Sequence, residues 1–176
     1  MCHRFPVAIV RFSCVSKSLS ETHALARTLA SHIRRGDVVL LVGELGAGKT
    51  AFTKGFGVAL GVTEEITSPT FTIMRDYPVR LAALGPGTFL HLDAYRLEGP
   101  DAAEDIGLLE LLDGGAFALI EWGDIVAAAF GHDPLMIEFR WDAEEERTIA
   151  FSASSDGPWA ERLSQWFAEV GAEGLR

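Results

Sequence analysis

The sequence predicts an α/β protein with three layers, in which helices cover a mixed, largely parallel central sheet that ends in an antiparallel C-terminal hairpin. Three observations predict this class. Continuous apolar runs, typical of strands buried on both faces, alternate with helical patterns. One such run leads through a glycine-rich turn directly into a helix. Near the C-terminus, two segments alternate apolar and polar residues on either side of a short acidic turn, as paired antiparallel strands do.

The elements of the first half follow from apolar spacing and capping residues. An apolar N-terminal segment forms the first strand. Ser20 is expected to cap a helix whose apolar residues recur every four positions, up to the cationic turn before Gly36. A β-branched run then predicts a buried strand, and the residues after the glycine-rich turn predict a second helix. These elements are a strand at 7–15, a helix at 20–36, a strand at 38–42 and a helix at 49–60.

The second half continues the alternation of strands and helices. We expect a loop at 67–70, a strand at 71–77 that ends before Pro78, and a turn-rich connector at 81–87. Further on, the patterns predict a strand at 88–92, an amphipathic helix at 101–112, a strand at 117–120, a hairpin of strands 135–141 and 147–153 at the sheet edge, and a closing helix at 159–170. We find no repeat or linker, so residues 1–176 are expected to form one domain.

Composition excludes several classes of protein. With 176 residues, 48% of them apolar, the chain can bury a core, but 15 Lys and Arg against 25 Asp and Glu give a net charge of −10. This charge argues against direct binding of nucleic acid or anionic lipid as the main source of affinity. Two cysteines and five scattered histidines do not predict a disulfide framework or a zinc site. No segment has the length of a signal peptide core or a membrane span, so a cytoplasmic protein is expected.

The strongest functional motif is GELGAGKT at residues 43–50, which matches the phosphate-binding pattern GxxxxGK[ST] and lies between a predicted strand and helix. In such a P-loop, backbone N–H groups converge on phosphates at a helix N-terminus. The lysine reaches the β and γ phosphates, and the final hydroxyl ligates Mg²⁺. One of only three lysines occupies the required position. The nucleotide-binding residues predicted here are Gly43, Glu44, Leu45, Gly46, Ala47, Gly48, Lys49 and Thr50.

A P-loop also requires a carboxylate that holds Mg²⁺ directly or through water, and two acids follow predicted strands. Asp93 ends the run FLHLD and Glu121 ends ALIE; the pattern does not rank them. Trp122 either packs in the core or forms a wall of the nucleotide site. His91, inside an apolar strand, is predicted to be a core histidine. Thr70, about 20 residues after the P-loop, lies where a nucleotide-sensing hydroxyl is expected, although a simple Ser-Pro turn accounts for this segment as well.

Taken together, GELGAGKT, TSPTFT, HLDAYRL and IEWGD resemble, in order and spacing, the bacterial TsaE (formerly YjeE) family over residues 20–141. The resemblance implies a P-loop NTPase fold and an ATPase that is required for the threonylcarbamoyladenosine (t6A37) modification of tRNA. It also implies the proteins TsaB and TsaD as partners, with the chain as a motor or reset component of their complex and tRNA contacted only through that complex. The sequence predicts neither a monomer nor an oligomer.

The resemblance also implies roles for individual residues. Thr50 and Glu121 bind Mg²⁺, and Asp93 is a required acid close to the ATP. Thr70 and Trp122 match further functional positions, and the segment around Thr22 is expected to reach the nucleotide. With Lys49 of the P-loop, the catalytic set is therefore expected to be Lys49, Thr70, Asp93 and Glu121. The main departure is Glu44, which stands where the family often has Asp.

Three other functions share a P-loop. A small-molecule kinase needs an acceptor pocket and usually an arginine-bearing lid, but the arginines that follow the loop are scattered. A GTP-dependent switch ordinarily recognises guanine through an NKxD motif, and this chain contains no asparagine. A binding module without turnover is the third alternative.

Overall fold

A seven-stranded mixed sheet organises the chain in the computed structural model, which describes residues 8–67, 74–81, 85–130, 134–143 and 146–173. The strands are β1 (Ile9–Ser16), β2 (Val38–Gly43), β3 (Met74–Leu81), β4 (Gly85–Asp93), β5 (Phe117–Glu121), β6 (Leu135–Trp141) and β7 (Arg147–Ser154). The helices are α1 (Leu19–Ala30), α2 (Lys49–Ala59), α3 (Ala102–Asp105), α4 (Leu108–Asp113) and α5 (Ala160–Glu173).

The strand order is β1-β7-β6-β2-β5-β4-β3. The four central strands, β6, β2, β5 and β4, are parallel to one another. At one side β3 pairs antiparallel with β4, and at the other side β7 and then β1 add antiparallel strands. The predicted mixed, largely parallel α/β sheet is confirmed. Because β2 lies between two parallel strands, its carboxyl end opens onto a crevice flanked by the ends of β5 and β6.

Alternate residues of each central strand face two separate apolar layers. Val39 and Leu41 face the layer that is covered by α1, α2 and α5, whereas Leu40 faces the layer covered by α3 and α4. The first layer contains the largest buried side chains, among them Phe52, Phe56, Trp159 and Trp166. Burial of such side chains contributes roughly 1.5–3 kcal/mol each. The three-layer arrangement therefore holds β2, and the loop that follows it, from both sides.

The predicted N-cap of α1 was wrong by two residues. Ser18, not Ser20, caps the helix: its Oγ accepts a hydrogen bond of 3.1 Å from the Glu21 N–H. The Glu21 carboxylate in turn accepts from the Lys17 N–H at 2.7 Å, so the segment Ser18-x-x-Glu21 acts as a variant of the capping box. The helix also ends earlier, at Ala30, and turns lead from there to β2.

The predicted end of a strand before Pro78 was also wrong. β3 continues through Pro78 to Leu81, and the predicted connector is part of a hairpin in which Leu81 pairs with Gly85. Pro78 has no N–H to donate, but β3 is the outermost strand and pairs only with β4. An edge strand tolerates proline for this reason. Residues 71–73 of the predicted strand lie outside the described residues.

Instead of one helix at 101–112, the chain forms α3 and α4, separated by Gly107. This glycine adopts a φ of +72°, which an α-helix cannot accommodate. The C-terminal hairpin is confirmed, since β6 and β7 pair antiparallel, but β1 covers its outer side and occupies the sheet edge. No helix within the described residues is long and apolar enough to cross a membrane.

Candidate active site

The P-loop joins the carboxyl end of β2 to the N-terminus of α2. Gly43 begins the loop with a φ of +150°, and a Cβ at this position would lie 2.6 Å from the Phe139 carbonyl oxygen. The approach of β6 thus leaves no space for a side chain at the start of the loop. The N–H groups of the first turn of α2 face the cleft without intrahelical partners, which makes this helix end suitable for an anion.

Lys49 is almost completely buried inside the loop. Its Nζ donates hydrogen bonds to the carbonyl oxygens of Gly43 (2.6 Å) and Glu44 (2.8 Å), and it lies 3.8 Å from the centre of the Trp122 ring. Burial lowers the pKa of Lys49, while the nearby Glu121 carboxylate acts in the opposite direction. The ammonium is therefore held in place by backbone carbonyls and an aromatic face at the floor of the cleft.

Glu121, the last residue of β5, connects the P-loop to the neighbouring strand and is only 2% exposed. Its Oε2 accepts a hydrogen bond of 2.7 Å from the Thr50 hydroxyl. Its Oε1 lies 2.9 Å from the His91 Nε2 and 3.4 Å from the Thr53 hydroxyl. The two predicted metal ligands, Thr50 and Glu121, are in direct contact.

His91 is fully buried in β4, as the sequence predicts, but its contact with Glu121 was not predicted. Its other ring nitrogen, Nδ1, has no hydrogen-bond partner among the described residues. The contact between His91 and Glu121 depends on the pairing of two strands. β4 and β5 are parallel neighbours, so their carboxyl ends meet at the same edge of the sheet. Thr53, one turn after Lys49, was likewise missed.

Asp93 ends β4 directly opposite Glu121 in the register of the two strands. Its Oδ1 accepts a hydrogen bond of 3.1 Å from the Tyr95 N–H and so caps the short 3₁₀ turn Ala94–Arg96. Asp93 and Glu121 therefore occupy neighbouring strand ends at the same cleft. Glu121 contacts the P-loop hydroxyl, which distinguishes the two acids that the sequence pattern did not rank.

Trp122 combines its two predicted positions, because it forms a wall of this cleft and is partly buried against the apolar layer that α3 and α4 cover. It adopts a left-handed backbone conformation with a φ of +56°, and among the described residues it is the only non-glycine residue with positive φ. Such a conformation costs roughly 1–3 kcal/mol and is commonly found at functional sites. The backbone turn places the indole between Lys49 and Tyr95, whose ring centre is 5.0 Å away.

Comparison with known proteins assigns the chain to a family. The model of the family "Threonylcarbamoyl adenosine biosynthesis protein TsaE" matches residues 16–149. The chain belongs to the TsaE family. TsaE of Bacillus subtilis is 41% identical over 133 residues, which cover 76% of this chain and 80% of that protein. TsaE of Treponema pallidum is 40% identical over 136 residues, covering 77% and 96% of the two chains. Both relatives are named as tRNA threonylcarbamoyladenosine biosynthesis proteins.

A solved structure supports the same assignment. The crystal structure of Bacillus subtilis YdiB superimposes with a TM-score of 0.71 and 30% sequence identity, and the match covers 94% of this chain and 97% of YdiB. The resemblance to the TsaE family, inferred above from four motifs, is thus confirmed, and so is its fold. The matching region contains every residue proposed above for the site.

The cleft of this TsaE-family chain has a volume of about 340 Å³ and is lined by eight of the predicted residues: Leu45, Gly46, Gly48, Lys49, Thr50, Asp93, Glu121 and Trp122. Thr22 is not one of the described residues that line it. Thr22 is 1% exposed in α1, where its hydroxyl bonds to the Ser16 hydroxyl at 2.8 Å, and its contact with the nucleotide stays a prediction. Thr70 lies outside the described residues.

Arg147, the first residue of β7, also lines the cleft. Sequence reasoning treated it as one of several scattered arginines. Its place at the P-loop follows from the pairing of β7 with β6 and β1, in which Arg147 lies opposite both Trp141 and Ser16. A single sequence without this register carries no signal that brings residue 147 next to residue 48.

Proposed function

We propose that this chain is a Mg²⁺-dependent ATPase of tRNA threonylcarbamoyladenosine biosynthesis, which converts ATP to ADP and phosphate and acts on the TsaB–TsaD complex as a motor or reset component. The observation that carries the proposal is the 2.7 Å contact between the Thr50 hydroxyl and the Glu121 carboxylate. This contact joins the P-loop to a strand-end acid beside Lys49. The same pair of groups is expected in a P-loop ATPase, and the family supports the pathway.

The P-loop supports ATP as the ligand. Backbone N–H groups at the start of α2 and the Lys49 ammonium offer positive charge to a polyphosphate. The Gly43 and Glu44 carbonyls hold the Lys49 ammonium at the floor of the cleft, from which it would move toward a bound phosphate. Trp122 lines one side of the site, with its ring 3.8 Å from the Lys49 ammonium.

The residues at the cleft fit a magnesium ion. Mg²⁺ prefers oxygen ligands and usually combines one or two carboxylates with the phosphates of the substrate. The Thr50 hydroxyl and the Glu121 carboxylate supply such oxygens. His91 contacts the other carboxylate oxygen, Oε1, and so fixes the orientation of the Glu121 side chain. When bound, the ion would neutralise phosphate charge and orient the terminal phosphate.

Asp93 is the second carboxylate on the cleft, and its Oδ1 accepts from the Tyr95 N–H at the end of β4. We assign to it the required acid role of the family, as an acceptor for a water molecule near the terminal phosphate. Thr70 is proposed as the hydroxyl that senses the nucleotide state.

A protein partner fits the charge of the molecule better than RNA does. The net charge of −10 repels a phosphate backbone, so we propose that the chain contacts TsaB and TsaD and reaches tRNA only through them. In this scheme the threonylcarbamoyl chemistry belongs to the partners, in the cytoplasm, and ATP turnover changes the state of their complex.

The experiment that tests the proposal is a phosphate-release assay with Mg²⁺-ATP, with and without purified TsaB and TsaD. We expect turnover that the pair stimulates and that the Lys49→Ala variant lacks. A parallel incubation with ATP and a panel of nucleosides tests for a kinase. Phosphorylated nucleoside, or phosphate release that is equal in wild type and Lys49→Ala, would contradict the proposed function.

A further inference from the structure

Arg147 is the second cationic side chain on the cleft and belongs to no motif of the site. Its guanidinium packs against the P-loop: a Cβ placed on Gly48 would lie 3.3 Å from the Arg147 Nε and 3.4 Å from its Cδ. The Nε is buried and has no hydrogen-bond partner among the described residues. A buried donor without a partner destabilises the protein, which is a reason to look for a ligand that satisfies it.

The three acidic side chains described in the same hairpin are engaged elsewhere. Glu138 pairs with Arg11. Asp142 accepts hydrogen bonds from the Arg140 Nε and the Thr148 hydroxyl. Glu146 lies 3.9 Å from the Lys17 ammonium. None of these three carboxylates is paired with Arg147, so no ion pair within the described part of the hairpin accounts for the position of this guanidinium beside the loop.

Arg147 lies on the opposite side of the P-loop from the proposed metal ligands. Glu121 ends β5, which flanks β2 on one side, whereas Arg147 begins β7, which follows β6 on the other side. Thr50, Glu121 and Arg147 line the same cleft, so a polyphosphate whose terminal end meets Thr50 and Glu121 and that follows the loop reaches Arg147. A guanidinium presents planar, permanently charged N–H donors that match phosphate oxygens.

We propose that Arg147 binds the nucleoside-proximal phosphates, the part that ATP and ADP share. The inference rests on the proposed function, because it assumes that the cleft binds a nucleoside polyphosphate. It assigns Arg147 to binding of both nucleotides, whereas the residues on the β5 side respond to the terminal phosphate and the ion.

The test compares Arg147→Gln and Arg147→Lys with wild type in titrations of Mg²⁺-ADP and of a non-hydrolysable Mg²⁺-ATP analogue. Arg11→Gln is the matched control: it makes the same change at an exposed arginine whose partner in the register is Ser152, about 16 Å along β7 from Arg147. We expect Arg147→Gln to raise both dissociation constants by a similar factor, about ten- to a hundredfold. Arg147→Lys should recover part of the loss, and Arg11→Gln should bind like wild type.

Each other result has a distinct meaning. If wild type binds and Arg147→Gln binds equally well, the Arg147 proposal is wrong and the proposed function is unaffected. A loss confined to the ATP analogue would place Arg147 at the terminal phosphate and overturn the assignment. A lowered melting temperature in both Arg147 variants, with no recovery of affinity by lysine, would identify a structural role and also overturn it. If wild type binds neither nucleotide, the proposed function fails together with the inference.

Discussion

Two buried clusters of charged side chains lie at opposite ends of β2, and they differ in how completely their hydrogen bonds are satisfied. At the amino end, Arg162 of α5 forms a bidentate ion pair with Asp37, with N–O distances of 2.6 and 2.9 Å. The remaining Arg162 Nε donates to the Pro158 carbonyl, and the guanidinium lies 3.9 Å from the centre of the Trp159 ring. All three guanidinium nitrogens thus have partners.

The cluster at the carboxyl end is less complete. The Arg147 Nε and the His91 Nδ1 have no hydrogen-bond partner among the described residues. Burial lowers the pKa of Lys49, and Trp122 adopts a strained backbone conformation. Buried polar groups without partners and local strain are tolerated where function requires them. The difference supports a structural role for the amino end and the proposal that the carboxyl end receives a ligand.

The largest expected effect is on stability, and it separates the two ends. Arg162→Ala leaves the Asp37 carboxylate buried without its partner, so we expect the free energy of unfolding to fall by about 3–5 kcal/mol. Urea denaturation measures this loss. Arg140→Ala is the control, because Arg140 pairs with Asp142 on the surface with its side chain 75% exposed, and such pairs contribute about 1 kcal/mol or less. Similar losses in the two variants would refute the structural role of the amino-end cluster.

The next largest expected effect is a loss of activity in a protein that remains folded. Lys49→Ala removes the ammonium at the floor of the cleft, and we expect phosphate release to be abolished and ATP affinity to fall about ten- to a hundredfold, because a charge-assisted bond to phosphate is lost. The circular dichroism spectrum should remain that of wild type. Lys54→Ala, one and a half turns further along α2 and away from the cleft lining, is the matched control. Normal phosphate release by a folded Lys49→Ala protein would contradict the proposed mechanism.

The sequence predicts one of these clusters better than the other. The P-loop, Asp93 and Glu121 are recognisable because each residue type stands beside a motif or a strand end, so local pattern is sufficient. The contacts of His91 and Arg147 depend on which strands become neighbours, and that information is long-range. Arg162 with Asp37 has the same origin, since 125 residues separate the partners and no motif connects them.

The elements of the fold also differ in how well the sequence predicts them. The parallel strands were predictable because burial on both faces produces continuous apolar runs. The errors at Ser20, Pro78 and Gly107 concern places where a single side chain or backbone angle decides the outcome: a capping hydroxyl, an edge position and a left-handed residue. The periodicity of apolar residues carries no information about such features.

A smaller effect concerns the metal. Thr50→Val keeps the side-chain shape and removes the hydroxyl, and Glu121→Gln removes a carboxylate oxygen and its charge. We expect each substitution to raise the Mg²⁺ concentration for half-maximal phosphate release by about tenfold or more. Each removes an oxygen ligand of the ion, and Glu121→Gln also removes a negative charge. A magnesium titration at saturating ATP measures this. If both titrations match wild type and Asp93→Asn shifts instead, the metal role belongs to Asp93.

The smallest expected effect is a change in tryptophan fluorescence, which tests whether Trp122, at the wall of the carboxyl-end cleft, responds to the ligand. Trp159 and Trp166 are fully buried in the core, so a variant that keeps only Trp122 would lose packing and is unsuitable. Removing Trp122 alone avoids this problem. The indole lies 3.8 Å from the Lys49 ammonium, so movement of that charge toward phosphate changes the field at the ring.

We therefore expect Mg²⁺-ATP to change the tryptophan emission of wild type, and expect most of this change to disappear in Trp122→Phe. Trp141→Phe is the matched control, because Trp141 is 55% exposed and lies near the P-loop at Gly46. If Trp122→Phe retains the full change and Trp141→Phe loses it, the nucleotide is sensed on the β6 side of the loop and Trp122 has no part in the response. If the change is retained in Trp122→Phe and in Trp141→Phe alike, neither side chain reports the nucleotide. A loss confined to Trp122→Phe would mean that the strained residue after Glu121 reports the bound nucleotide, and this response would set the carboxyl-end cluster apart from the Asp37–Arg162 pair.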